Sequence, residues 1–281
     1  MPIAKIRGID LHYEVLGDKG PWVALQPGGR RAGASLRPLA AKIAEAGHRV
    51  LIYDRRNCGA SSIAIDGASE NEEWAEDLHE LLMQLDALPA FVGGSSSGCR
   101  LALILALRHP DDVRGLLLWR VTGGAHAAVH LSNQYYGSQI EAARTGGMAA
   151  VCTLDHWKEV IGVNPAARAV LMAMDPRDFI ARMTRWRDSF DAGAEHPVIG
   201  LSPAELRGLA MPAAIVPGKD PVHPLPAGQA AHRLIPNAEY TEVVTREAAT
   251  LDEAFADWDA QEGRLAATFI DFLRRVNRRR G

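Results

Sequence analysis

The stretch at residues 90–110, AFVGGSSSGCRLALILALRHP, decides the fold. Three small or apolar residues run into a glycine–serine turn, and the turn opens an almost wholly apolar helical pattern. A buried strand that passes through a tight turn into a buried helix is a unit of a parallel sheet covered on both faces. Within the turn, Gly94, Ser96 and Gly98 have the spacing Gly-x-Ser-x-Gly. Small flanking residues permit a strained strand-to-helix turn that lifts the central side chain above the sheet. The positive end of the helix then lies beneath it. Ser95 and Ser97 are rival positions, but neither has glycine both two residues before and two after. Ser96 is therefore the candidate nucleophile.

The same alternation extends in both directions. Upstream, IRGIDLHYEVLG reads as a strand or hairpin, WVALQPGG and RVLIYDRR as buried strands, and SLRPLAAKIAEAG and NEEWAEDLHELLMQLDAL as helices. Downstream, VRGLLLWRV is a strand. From about 125 to 204 only helical segments follow. The strand MPAAIVPG, the helix PAGQAAHRLI, the strand AEYTEVV and the helix GRLAATFIDFLRR complete the chain. The division is a first core part at 1–124, a helical insertion at 125–204 and a second core part at 205–281.

Composition sets limits. The chain has 281 residues, 47% hydrophobic and 23% charged, enough for one large α/β domain. A formal net charge of −3 argues against a nucleic-acid partner. The basic end, RRVNRRRG, reads as a solvated helix terminus. Three scattered cysteines form neither a zinc pattern nor a disulfide framework and point to a reducing, cytoplasmic setting. No segment reads as a signal peptide or a membrane span. A small-molecule substrate is expected, with no cofactor and no metal; the oligomeric state stays open.

The chain resembles the α/β-hydrolase superfamily. GGSSSG is similar to its nucleophile turn, and YDRRNCGASS to its strand-end stretch of Asp, Arg and spaced Gly-x-Ser. HPDDVRGLLLW resembles the passage from nucleophile helix to next strand, and PGKDPVHP its acid loop. The resemblance implies a mostly parallel eight-stranded sheet, a helical cap and acyl transfer on serine. It implies Asp220 as the acid, and an oxyanion hole built from the backbone N–H groups of Ser97 and of Gly29, with Gly28 one register away.

One element of that pattern is missing. The resemblance implies a histidine after the last strand, but VVTREAATLDEAF contains none, and none follows residue 232. Of ten histidines, His48, His79 and His232 read as surface residues, and His12 and His109 lie away from the strand tops. His126, His130, His156 and His196 belong to the insertion. His223 shares a loop with Asp220, three residues before it, at the sheet edge that carries Ser96. It is the expected base, oriented by Asp220 or else by Glu247 or Asp252; the alternative base is a histidine of the insertion. An acid beside it should raise the basicity of the imidazole.

The expected activity is serine hydrolysis of a small ester, lactone, amide or C–C bond through an acyl-enzyme on Ser96. The alternative is a lyase, a cofactor-free oxygenase or a non-hydrolytic ligand-binding protein on the same scaffold. Tyr135, Tyr136, Trp157 and Trp186, with Arg182, Arg185 and Arg187, are the insertion's candidates for contact with substrate. Of these, Tyr135, Trp157 and Trp186, together with Gly28, are expected to line a mainly apolar pocket, and an inward arginine would indicate a substrate carboxylate.

Overall fold

A computed structural model describes residues 1–279. Eight strands form one sheet: β1 (Ile3–Ile6), β2 (Ile9–Leu16), β3 (Trp22–Gln26), β4 (Arg49–Tyr53), β5 (Ala90–Ser95), β6 (Val113–Trp119), β7 (Ala213–Val216) and β8 (Ala238–Tyr240). Their spatial order is β1-β2-β4-β3-β5-β6-β7-β8. The β1/β2 and β2/β4 pairs are antiparallel and the rest parallel. The expected eight-stranded, mostly parallel sheet is therefore present.

Helices cover both faces. They are α1 (Arg37–Glu45), α2 (Glu70–Gln84), α3 (Ser97–Arg108), α4 (Ala125–Ser132), α5 (Ser138–Val151), α6 (Asp155–Val163), α7 (Ala166–Met172), α8 (Pro176–Asp191), α9 (Pro203–Arg207), α10 (Leu225–Leu234), α11 (Leu251–Ala260) and α12 (Glu262–Arg278). Strand residues alternate between two cores, as the pleat requires. In β5, Ala90 and Val92 pack with α2, α3 and α10, while Phe91 packs with α1, α11 and α12. The apolar α3 is buried because it lies between the sheet and α2.

Residues 125–207 carry six helices, α4 to α9, and most of them share a third core with Tyr136, Trp157, Phe179, Trp186 and Phe190. That core also takes in Val222, the residue before His223, so the helical layer rests on the loop after β7. Two of the histidines expected at the surface are buried: His48, and His79, which stacks on His109 at 3.6 Å and bonds Asp112. The last two residues of the basic tail lie outside the described residues.

Candidate active site

Three strand ends converge. Ser96 follows β5 at φ 55°, ψ −114°, a conformation that costs a residue with a side chain on the order of 1–3 kcal/mol. The glycines of the motif make the turn possible. A Cβ on Gly94 would stand 2.3 Å from the Gly98 carbonyl carbon, and one on Gly98 2.5 Å from the Gln26 carbonyl oxygen. The Ser96 N–H donates to the Trp119 carbonyl at 3.1 Å, fixing the turn against the end of β6.

The loop after β7 supplies the partners. Asp220 accepts from the backbone N–H groups of Val222 at 3.0 Å and His223 at 2.9 Å. This local turn closes the loop on itself. His223 Nδ1 lies 2.8 and 2.9 Å from the two Asp220 oxygens. A carboxylate can only accept, so Nδ1 carries the ring proton and Nε2 is left as an acceptor. Ser96 Oγ sits 2.8 Å from that Nε2 and donates to it. Serine, histidine and aspartate thus form one continuous hydrogen-bonded chain. Gly218 is needed beneath it, because a Cβ there would lie 2.4 Å from His223 Cβ. Glu247 and Asp252 are exposed and make no contact with His223.

Burial dominates the electrostatics. It pushes the His223 imidazole down to about 4, aided by the Arg120 cation, although the Asp220 bond works the other way. The expected rise in basicity beside Asp220 is therefore overridden by desolvation. Burial also works against ionisation of Asp220. The bonds and charge of His223 and the charge of Arg120 outweigh it, and the carboxyl sits below its ordinary value.

Gly29 and Ser97 flank the serine. Neither N–H has an intramolecular acceptor among the described residues. Their mutual placement is held by Arg55, which donates to the Gly29 carbonyl at 2.7 Å and to Ser97 Oγ at 3.2 Å. Ser97 Oγ in turn donates to the Gly29 carbonyl at 2.8 Å. Arg55 is fully buried, stacked 4.1 Å above the Trp74 ring. Sequence reading missed this role, although YDRR supplied the residue.

Above Ser96 lies a cavity of about 350 Å³. Gly28, Gly29, Ser96 and His223 line it from the core, and Leu131, Tyr135 and His156 from the helical layer. Its character is mixed rather than mainly apolar, because Arg30, Arg31, Arg120 and Glu159 also reach it. Trp157 and Trp186 do not. Both are almost fully buried in the helical layer, Trp157 donating to Gln139 at 2.9 Å; at helical spacing these aromatics are core. His126 and His130 are exposed. Arg182 donates to the Ile65 carbonyl, and Arg187 pairs with Asp191. The wall that sequence reading missed is α11, which brings Leu251, Phe255 and Trp258 to the cavity.

Comparison with known proteins agrees with this architecture. The family model for the alpha/beta hydrolase fold matches residues 21–133. A Bacillus subtilis protein described as the uncharacterized hydrolase YraK is 35% identical over 115 residues, 40% of this chain and 41% of that one. The chain spans about two-fifths of the length of the curated relatives it matches. The enol-lactonase of Burkholderia xenovorans superposes with a TM-score of 0.64 at 22% identity, covering 97% of this chain and 99% of that one. A thermophilic esterase from Thermogutta terrifontis gives 0.65 at 20% identity, covering 98% and 99%. No helix among the described residues is long and apolar enough to cross a membrane.

Proposed function

We propose that this chain, which has the α/β-hydrolase fold, is a serine hydrolase that cleaves a small ester, lactone or amide through an acyl-enzyme on Ser96. The observation that carries the reading is the Asp220–His223–Ser96 chain of hydrogen bonds, with Nε2 free to take the serine proton. Ser96 Oγ attacks the carbonyl carbon as His223 Nε2 accepts its proton. Asp220 holds the ring in the required tautomer and stabilises the imidazolium. The Gly29 and Ser97 N–H groups take the charge that develops on the carbonyl oxygen. His223 then returns the proton to the leaving group. Water, deprotonated by the same base, releases the acid. The reaction as proposed needs no cofactor. Residues 125–204 act as the cap that closes the cavity over Ser96.

The names of the similar proteins, among them a hydrolase, an enol-lactonase and an esterase, support ester or lactone chemistry. The lyase, oxygenase or binding-protein alternative drew on the missing histidine after the last strand, and His223 weakens that ground. The test is labelling with a fluorophosphonate. Ser96 should label rapidly, and Ser96→Ala should neither label nor turn over a 4-nitrophenyl ester while keeping the wild-type melting temperature within a few degrees. Labelling at Ser95 or Ser97, or none at all, refutes the reading.

A further inference from the structure

Arg120 is a buried cation of this cavity whose guanidinium makes no hydrogen bond to a carboxylate. It follows β6, one strand over from the serine turn, and the Trp119 carbonyl just before it accepts from Ser96 N–H. Its backbone is left-handed, φ 56°, held there by an N–H bond to the Val216 carbonyl at 3.0 Å. A non-glycine residue held in that region marks stored strain, and such strain clusters at functional sites. Two adjacent strand ends, at Ser96 and Arg120, share this feature.

The side chain is 8% exposed yet lines the same cavity as Ser96. None of its guanidinium N–H groups finds an acceptor among the described residues. Nε has no partner. Nη2 lies 3.4 Å from His223 Nδ1, but that nitrogen already donates to Asp220 and has no lone pair to offer. Asp220 Oδ2 is 3.7 Å away, an ion pair too long to be a hydrogen bond. Besides that ion pair, stacking holds the guanidinium: it sits 4.5 Å from the Phe255 ring centre and 6.0 Å from that of Trp258. Stacking fixes the plane and leaves the edge free.

The neighbouring arginine differs. Arg30 spends its fork on both Glu70 oxygens and the Tyr135 carbonyl. Arg31, exposed, stacks on Phe255 at 5.4 Å and has no carboxylate partner among the described residues. The acids that line the cavity do not answer Arg120. Glu159 and Asp259 lie on its exposed side, and Glu262 pairs with Lys42.

Resting on the hydrolase reading, we propose that Arg120 is the anion-binding residue of this site and that the substrate is an ester or lactone bearing its own carboxylate. A carboxylate accepts two parallel N–H bonds from such a fork. One ligand group would answer two defects at once. It satisfies a buried cation, and it offsets the positive charge beside the imidazole at the moment that ring must become imidazolium.

The experiment compares 4-nitrophenyl acetate with the mono-4-nitrophenyl ester of glutaric acid, which adds a carboxylate tail. In the wild type the ratio of kcat/KM should favour the acidic ester by about 10-fold or more, the scale of a charged hydrogen bond. Arg120→Met should collapse that ratio through KM, and Arg120→Lys should restore part of it. An unchanged ratio in Arg120→Met, or no preference in the wild type, overturns the proposal. Turnover is not the sole readout. In Ser96→Ala, glutarate should give a saturable change in tryptophan fluorescence that Ser96→Ala/Arg120→Met lacks. If neither ester reacts and Ser96 does not label, the hydrolase reading falls, and this titration alone decides the anion site: saturation that depends on Arg120 supports it, and no saturation overturns it.

Discussion

Acid should switch this site off late and weaken the fold early. The buried His223 ring stands at about 4 instead of the usual 6.5. In the folded chain it therefore stays neutral, able to take the serine proton, until the pH nears 4. With 4-nitrophenyl acetate, kcat/KM should be level from pH 7 to about 5, then fall with unit slope around about 4. Stability follows a different window. Above 6.5 the ring is neutral in both states and contributes nothing. Between 6.5 and about 4 the unfolded chain binds a proton that the folded chain refuses, so stability falls as the pH falls. A fall from 6.5 to about 4 corresponds to about 3 kcal/mol at pH 4. His156, which burial pushes down to about 3, adds a second loss in the same direction. Urea unfolding at pH 7.0, 5.5 and 4.5 measures the slope, and His223→Gln should remove one proton's share of it. An acid limb near 6.5, or a folding free energy that does not change between pH 7 and 4.5, would refute the buried, neutral base.

Three further outcomes are expected. Asp220→Asn should cut kcat by about 10⁴-fold, because an amide favours the wrong tautomer, whereas Glu247→Gln and Asp252→Asn should stay near wild type; steady-state kinetics separates the two alternatives. Arg55→Met should lower kcat by roughly 10²-fold with little change in KM, since it loosens two N–H groups that act in the transition state; a change confined to KM would contradict that role. Arg100 is buried with Nε and Nη1 unpartnered and, among the described residues, has no carboxylate within ion-pair range. Replacing it by Met should leave the melting temperature unchanged or raise it, and a fall of more than a few degrees would refute the view of an uncompensated charge.

What the sequence revealed and what it hid have separate physical causes. Ser96 was legible because its motif encodes sterics: a side chain at Gly94 would clash with Gly98, and one at Gly98 with β3. His223 was legible by elimination, since a base must come from the sheet edge that carries Ser96. Trp157 and Trp186 misled because an aromatic residue on an amphipathic helix can face a core as easily as a cavity. Helix α11 was missed, although its signals were there. Thr250 caps it by accepting from Glu253 N–H at 3.2 Å, and Leu251, Ala254, Phe255 and Trp258 fall on one face. Arg120 was not legible. WRV reads as more strand, and a left-handed backbone leaves no trace in a side-chain pattern.

The displaced histidine and α11 belong to one arrangement. With acid and base three residues apart, their geometry is set inside a single turn. Asp220 accepts from two backbone N–H groups as well as the ring. Pro221 and Pro224 restrict φ on either side of Val222 and His223. The base therefore needs no support from the segment after β8, where the resemblance implies a histidine. That segment leads instead into α11, whose Phe255 and Trp258 stack on the Arg120 guanidinium beside the dyad. On the proposed reading, a base on the β7 loop does more than complete a triad: it leaves one wall of the cavity to α11, which holds the Arg120 charge beside Ser96.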